Sequence, residues 1–502
     1  MVRGALQKTA AALVTALLAG CAVGPDFVPP AAPDVQGYTP EPLAARTAAA
    51  ATAGGSAQRF VRDLDLPGQW WMLFHSKALN GLVERALAAN PDLAAAQAAL
   101  RVARENVRAQ RGALFPQFDA GFSGTRLLPP TAGPAIDNET VTPTFNLFTS
   151  QLNVSYSPDV FGGTRRSIEA LVAQEDAQRF ALEATYLTLT SNLAGAAVQE
   201  ASLRGQIAAT LQIIKIERDV LGLLRQQRAA GQIAEADVVA QEAALAQVEQ
   251  TLPPLQKQLA QQRDLLAALS GGFPSETLAA EFRLAALRLP RDLPVSLPAK
   301  LIEQRPDVRA AAANLHAASA QIGVAIANRL PNITLTATAG STAPAIDQMF
   351  GSGTEFWAVT GAVTQPLFHG GTLFHRELAA KATFDQAAAQ YRGTVIMAFQ
   401  NVADALRAIQ SDAVALQKAV ASERAAAHSL DIVRGRMRLG DINYLGLLNA
   451  QQTYQQALLS LAQAKAARYA DTVALFQALG GGWWNRADVD PERPVSVGEF
   501  FQ

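Results

Sequence analysis

The stretch "RPDVRAAAANLHAASAQIGVAIANRLPNITLTATA", residues 305–339, changes its pattern at Pro331. Before this proline, an alanine-rich run predicts a helix of about 25 residues. After it, Ile333, Leu335 and Ala337 alternate with threonines, and such alternation is typical of a strand with one apolar and one polar face. The stretch therefore predicts a helix followed by a strand that is long enough to cross a bilayer at a tilt.

The same construction occurs earlier in the chain. Residues 90–118 align without gaps to residues 305–333, so that Pro91 matches Pro306 and Pro116 matches Pro331. Further along, "SPDVFGGT" at 157–164 matches "QPLFHGGT" at 365–372. This order predicts a tandem duplication, in which each half contains a helix, two strands, a Gly-Gly pair and a very long helix.

The long helices are the second unusual feature. Residues 164–230 and 372–439 contain no proline, and a helix of that length spans about 100 Å. Such a helix implies a coiled coil, a solenoid or the wall of a tube. Each tract ends at a glycine, Gly231 or Gly440, and we expect an antiparallel helix to return from it. In the first half, Pro253 and Pro254 are expected to break or kink the returning helix.

Four amphipathic strands in one chain cannot close a barrel, and open strand edges are not tolerated in hydrocarbon. Self-association is therefore required. Two copies would give eight strands, whose interior is filled by side chains, whereas an open channel needs a larger barrel. Three copies would give twelve. The pattern predicts a mixed α and β fold, with a homotrimeric twelve-stranded barrel that a helical barrel continues.

The N-terminus has the pattern of a lipoprotein signal peptide. Arg3 and Lys8 precede a short apolar run, and "LLAGC" ends at Cys21, the single cysteine of the chain. Small residues before such a cysteine predict cleavage at 20/21 and lipid attachment to Cys21. The alternative is an ordinary secretion signal with an incidental cysteine.

The composition gives no indication of an enzyme or a nucleic-acid-binding protein. The formal net charge is −1 over 502 residues, so there is no electrostatic reason to expect nucleic acid. The five histidines are scattered, and His369 and His375 do not have the spacing of paired ligands. We expect no catalytic site, no metal and no cofactor.

Several stretches resemble one family. Residues 70–96, residues 297–335 and "AGCAVGPDFVPP" at 19–30 are similar to the TolC-like outer-membrane factors, and more narrowly to the lipoprotein (NodT-type) branch that serves RND-type multidrug efflux pumps. The resemblance implies a passive exit duct in the outer membrane, whose helical barrel lies in the periplasm. The implied partners are a periplasmic adaptor protein, an inner-membrane RND-type transporter and outer-membrane lipid.

The expected organisation follows from the repeat and the resemblance. It consists of a signal peptide (1–20), a lipidated extended segment (21–75), a first repeat (76–295), a second repeat (296–482) and a C-terminal tail (483–502). The strands are expected at about 116–158 and 331–366.

The resemblance also assigns roles to the glycine breaks. Gly231 and Gly440 would turn the helical hairpins at the periplasmic tip, and Ile442 and Tyr444 would lie beside the second turn. These four positions are expected to contact the adaptor. An ordinary hairpin turn explains the glycines equally well, because glycine adopts a positive φ without strain.

The helix after the second break is implied to carry the constriction, often as a ring of carboxylates. Leu445 matches the apolar constriction residue, whereas Gly446 and Asn449 stand where some relatives have aspartates. The acidic ring is therefore missing, and we expect closure of this periplasmic gate to depend on Leu445.

Asp237 is the fourth residue that we assign to the periplasmic gate, because it matches an aspartate that joins the two hairpins through an arginine in some relatives. The arginine position is Ile442 here, so that salt bridge cannot form. Another partner, such as Tyr444 or Arg438, is left open. The alternative is a helix-start aspartate that the helix dipole favours.

Three competing functions share parts of this pattern. An outer-membrane channel for type I protein secretion or for metal efflux would have the same fold. A soluble coiled-coil scaffold would explain the helices, but it would not explain the four alternating strands.

Overall fold

The fold is described from a computed structural model, which describes residues 22–35, 37–128, 144–276, 280–439, 441 and 444–489. Cys21, Gly440, Ile442 and the signal peptide lie outside the described residues. The chain divides into two compact units, each of which contains segments of both predicted repeats. One unit comprises Met1–Pro30, Ala99–Gln178 and Ala311–Tyr391, as far as these are described, and the other comprises the remaining segments.

The helices and strands follow the same order in both halves of the chain. The strands are β1 Arg59–Arg62, β2 Gln117–Leu127, β3 Phe145–Tyr156, β4 Asp292–Val295, β5 Asn332–Ala343 and β6 Glu355–Thr364. The helices are α1 Lys77–Ala89, α2 Pro91–Arg111, α3 Gly163–Ala229, α4 Glu235–Leu269, α5 Pro298–Gln304, α6 Pro306–Ala327, α7 Thr372–Arg438 and α8 Tyr444–Ala478.

The two long helices have the predicted bounds within one residue. α3 and α7 each contain 67 residues, and the returning helices α4 and α8 each contain 35. Asp159 fixes the start of α3, because its carboxylate accepts the N–H groups of Thr164 and Arg165, both at 2.9 Å. Carboxylates at a helix N-terminus satisfy donors that have no partner within the helix.

The expectation that Pro253 and Pro254 break the returning helix is wrong, because α4 continues through both prolines, while a kink at the two prolines stays a prediction. The two residues are exposed, so water can solvate the carbonyl groups that lose a backbone donor. Two residues before Pro253, Thr251 Oγ1 donates to the carbonyl oxygen of Val248 at 2.7 Å.

The four long strands form one antiparallel sheet in the order β2-β3-β5-β6. Phe118 pairs with Val154, which pairs with Ala337, which in turn pairs with Val359. The register thus places apolar residues of all four strands in one row. The adjacent row, on the other face, contains Asp119, Asn153 and Thr338 in pairing positions. The predicted alternation of an apolar and a polar face is confirmed.

The apolar face of this sheet is exposed within the chain. The large exposed side chains on it include Phe118, Phe122, Trp357 (78%), Val359 and Val363. In the described residues, no strand pairs with the outer edges of β2 and β6. The sheet is therefore open at both ends and apolar on one side.

The N-terminal segment is extended but bound along part of its length. Arg468 of α8 is fully buried, and its guanidinium donates to the carbonyl oxygens of Gly54 and Ser56 and to Oε1 of Gln58. Immediately after Gln58, β1 pairs with β4 in parallel. These contacts attach the segment before β1 to α8.

Among the described helices, one is long and apolar enough to cross a membrane by length and composition. This helix is α6, and 44% of its most apolar window is buried in the chain. A single helix of this kind is weak support for a membrane span, because the core helix of a soluble protein has the same properties.

A carboxyl pair on α7 and α8 predicts a pH-dependent stability. Burial, together with the hydrogen bond and charge of Asp412, raises the pKa of Asp471 to about 7. The folded chain therefore binds more protons than the unfolded chain up to that pH, and its stability falls as the pH rises through it. We expect Asp471→Asn to reduce the loss of melting temperature between about pH 5 and pH 8. The exposed Asp404→Asn is the matched control, and equal pH profiles for Asp471→Asn and the unmodified chain would contradict the assignment.

Candidate functional site

The first hairpin tip ends α3 with a glycine-dependent turn. Gly231 has a φ of +74°, and its N–H donates to the carbonyl oxygen of Arg228 at 2.8 Å. The N–H of Gln232 donates to the carbonyl oxygen of Gln227 at 2.9 Å. This pair of bonds is the Schellman motif, which favours glycine because the left-handed region strains other residues.

The second tip repeats one of these bonds. The N–H of Asp441 donates to the carbonyl oxygen of Arg436 at 3.0 Å, across the same separation of five residues as Gln232 and Gln227. Nε of Arg436 also donates to Oδ2 of Asp441 at 2.9 Å. One of the two bonds of the first turn therefore recurs at the end of α7.

Three ion pairs connect α3 to α4 near the first tip. Each of them is largely exposed, and an exposed pair contributes only about 0–1 kcal/mol. They therefore favour the antiparallel alignment of α3 and α4, but they add little to the stability of the folded chain. The pairs are Arg218–Glu249, Arg225–Glu242 and Arg228–Glu235.

An apolar cluster joins the two hairpins near these tips. It contains buried residues of α3, α4, α7 and α8, so all four helices share one core. Its largest members on α8 are Tyr444, Leu447 and Tyr454. Burial of such side chains is the main favourable contribution to packing of the hairpins.

A buried chain of hydrogen bonds crosses this core. The hydroxyl of Tyr444 donates to Oε1 of Gln241 at 2.9 Å. Nε2 of Gln241 donates to the backbone oxygen of Glu217 at 3.2 Å and also to the Glu217 carboxylate. The three residues lie on α8, α4 and α3 and are 8%, 0% and 3% exposed. The chain of bonds thus connects the second hairpin to both helices of the first.

The burial of this network shifts the pKa of two of its members. Burial raises the pKa of the Glu217 carboxyl, while the hydrogen bond from Gln241 and the charge of Arg434 oppose the rise. Burial and the charges of Glu217 and Asp237 raise the pKa of Tyr444 to about 12. Tyr444 therefore keeps its proton at neutral pH and donates it to the amide oxygen of Gln241.

Asp237 lies in the first turn of α4 and is half-buried. Its charge acts on Tyr444, but the hydroxyl of Tyr444 is directed to Gln241. Of the two partners left open by the sequence, Tyr444 is an electrostatic neighbour, and the side chain of Arg438 lies outside the described residues. The position of Asp237 agrees with the alternative of a helix-start carboxylate.

The predicted constriction residues lie together at the start of α8. Leu445 is 59% exposed, Asn449 is exposed and Gly446 is half-buried. Leu445 and Asn449 are four residues apart, and they therefore share one face of the helix. That face is opposite to the buried face of Tyr444 and Leu447. A role for this face in closing a pore stays a prediction.

Sequence reasoning missed Gln241 and Glu217. A signal was available, because an Ala-Gln pair follows each glycine break, at Ala240–Gln241 and at Ala450–Gln451. Both glutamines are at most 1% exposed. They differ in their bonding, since neither amide atom of Gln451 has a hydrogen-bond partner in the described part of the chain. No group of three or more potential metal ligands occurs among the described residues.

Comparison with known proteins gives one consistent family. The family described as "Outer membrane efflux protein" matches residues 82–272 and 297–481. The pyoverdine export outer membrane protein OpmQ of Pseudomonas putida is 30% identical over 438 residues, which cover 86% of this chain and 92% of OpmQ. The outer membrane protein OprJ of Pseudomonas aeruginosa is 29% identical over 480 residues, with 94% and 95% covered. The solved structure of the outer-membrane channel OprN is similar with a TM-score of 0.81 and 29% identity, covering 92% of this chain and all of that chain.

The two glutamines provide a matched test of the hydrogen-bond network. Gln241→Leu leaves the Tyr444 hydroxyl and the Glu217 carboxylate without their partner, and a buried group left unsatisfied costs about 1–3 kcal/mol. Gln451→Leu removes an amide that has no partner, so we expect no loss or a small gain in stability. The measurement is the melting temperature of the helical circular dichroism signal of both purified variants. Equal shifts in the two variants would show that the network does not hold the hairpins together.

Proposed function

Because the chain belongs to the outer membrane efflux protein family, we propose that it is the exit channel of a tripartite efflux pump, through which toxic small molecules leave the cell. It would receive them from an inner-membrane RND-type transporter through a periplasmic adaptor protein. The observation that carries this proposal is the family match over both halves of the chain. The chain itself would be passive, with no catalytic role.

The open sheet supports a trimeric barrel. Unpaired strand edges in hydrocarbon leave backbone groups without partners, and β2 and β6 offer such edges at the two ends of the sheet. Pairing of β2 of one copy with β6 of the next would close the sheet. Three copies give a twelve-stranded barrel in the outer membrane, with the exposed apolar face toward lipid and the threonine-rich face toward the lumen.

The helices support a periplasmic tube below this barrel. Each chain contributes two hairpins, α3–α4 and α7–α8, and three chains therefore give six tips around one entrance. The domain order that we propose is a signal peptide (1–20), a lipidated segment (21–75), two repeats (76–295 and 296–482) and a tail (483–502). Lipid on Cys21 would anchor each chain in the outer membrane.

The tips are the proposed gate and adaptor contact. Leu445 and Asn449 would face the pore, with Gly446 between them, and the ring that closes the pore would be apolar and amide instead of acidic. Gly231 and Gly440 would form the turns that meet the adaptor, together with the neighbouring Ile442. Tyr444 would hold the second hairpin through Gln241.

Deletion of the gene followed by susceptibility testing across many toxic compounds tests the function. We expect sensitivity to increase for several chemically unrelated small molecules, and a plasmid copy should restore resistance. Unchanged susceptibility together with lost export of a protein would contradict the efflux assignment and favour a secretion channel. The names of the relatives, which include a toluene efflux pump protein and a pyoverdine export protein, favour small-molecule cargo.

Asn449→Asp tests the position of the gate. Three added carboxylates at the narrowest point of a trimer would attract cations, so we expect higher cation selectivity and block by divalent cations in single-channel recordings. Gln456→Glu is the matched control for depth, because it adds the same charge on the same exposed face of α8 about two turns further from the tip, where we expect a smaller effect. If both variants behave like the unmodified channel, Asn449 does not face the pore.

A further inference from the structure

The six residues after the lipidation position follow a fixed path over the surface of one unit. The N–H of Val23 donates to the carbonyl oxygen of Phe161 at 3.0 Å. A Cβ atom added to Gly162 would lie 2.5 Å from that of Ala22. Phe161 and Gly162 belong to the short connection between the end of β3 and the start of α3. Residues 22–27, which we call the docked segment, therefore begin beside the connection that follows β3.

Arg166 of α3 is the main contact of the docked segment. Its side chain is 6% exposed, and Nε donates to the carbonyl oxygen of Val23 at 3.1 Å. The terminal nitrogens donate to the carbonyl oxygen of Gly24 at 3.3 Å, to Oδ1 of Asp26 at 2.7 Å and to Oε2 of Glu169 at 2.8 Å. One buried guanidinium thus binds three successive parts of the segment with charge-assisted hydrogen bonds.

Glu169 and His316 extend this contact to the end of the segment. Oε1 of Glu169 lies 2.9 Å from Nε2 of His316. The imidazole ring of His316 stacks on Phe27, with ring centroids 4.3 Å apart and an angle of 10° between the planes. One carboxylate oxygen of Glu169 therefore binds Arg166 and the other binds His316, whose ring stacks on Phe27. This network connects α3 to α6.

Two glycines allow the segment to approach α6 closely. Gly24 has a φ of +98°, and a Cβ atom on it would lie 2.4 Å from Cα of Gly323. A Cβ atom on Gly323 would lie 2.8 Å from the carbonyl oxygen of Val23 and from Cγ of Arg166. Any side chain at either position would displace the segment or the guanidinium.

A lipid tether alone needs none of these contacts, because a short flexible linker would hold the acyl chains equally well. We propose that Arg166, Glu169, His316 and Gly323 form a docking site for the chain's own residues 22–27, which fixes where the lipid inserts beside the end of β3. Consecutive Cα atoms are about 3.8 Å apart, so a fixed Ala22 restricts the attachment point on the preceding residue. Only the presence of lipid on Cys21 rests on the proposed function; the docking does not.

Chymotrypsin cleavage at the Phe27–Val28 bond of the purified full-length protein tests this proposal. The unmodified chain should be cut slowly at this bond, because Phe27 is stacked on His316. Arg166→Met and Gly323→Ala should each increase the rate by about tenfold or more, since each removes or displaces charge-assisted hydrogen bonds. The second variant keeps every charge, and it therefore gives an independent result if Arg166→Met fails to fold.

Gly81→Ala and Arg108→Met are the matched controls. Gly81 is a helical glycine with no atom within 4 Å of an added Cβ, and Arg108 forms an exposed pair with Glu105. Rapid cleavage of the unmodified chain, or equal rates in all four variants, would overturn the docking site. The mass of the released fragment reports lipid separately, so an unmodified Cys21 would reject the anchor while leaving the docking result intact.

Discussion

The backbone groups along the outer edges of β2 and β6 have no partner strand in the described part of the chain. In water such edges invite aggregation, and in hydrocarbon each unpaired group is unfavourable by several kcal/mol. The sheet has an apolar face that includes Trp357 and Val359, so a single copy in lipid would leave both of its edges unpaired. The proposed closure with other copies would pair these edges, and the rest of the proposed architecture follows from it.

In the proposed assembly, closure of the barrel would fix the points at which the long helices leave the sheet. β3 and β6 are both antiparallel to β5 and therefore run in the same direction. α3 begins seven residues after β3 ends and α7 begins eight residues after β6 ends, so both long helices begin at the same end of the sheet. The docked segment starts at the first of these connections. In the proposed assembly, the anchor, the barrel and the start of the tube would therefore lie at one boundary.

Near the tips, the two hairpins are joined by an apolar cluster and by a buried chain of hydrogen bonds. The apolar cluster supplies most of the contact. The Tyr444–Gln241–Glu217 chain fixes how the two hairpins are aligned, because three buried polar groups must meet in one arrangement. Leu445 and Asn449 remain on the opposite face. A gate of this kind would respond to displacement of α8 more than to the ionisation of an acidic ring.

The features with a local origin could be predicted from the sequence. The absence of proline predicted α3 and α7, Gly231 predicted the first turn, and the alternation around Ile333 predicted the faces of β5. The misses involve contacts between distant residues or local solvation. Gln241 and Tyr444 are 203 positions apart, and Arg166 and Asp26 are 140 apart, so no periodicity reports either contact. Pro253 and Pro254 remain within a helix because their surroundings are exposed, which the composition of the stretch does not reveal.

The number of chains in the assembled protein tests the central claim most directly. Native mass spectrometry of the full-length protein, extracted from the outer membrane in mild detergent, measures it without reference to cargo or partners. Closure through the edges of β2 and β6 predicts a complex of three chains, with no stable monomer in the membrane fraction. A monomer, or a dimer whose eight strands would leave no open lumen, would contradict the account.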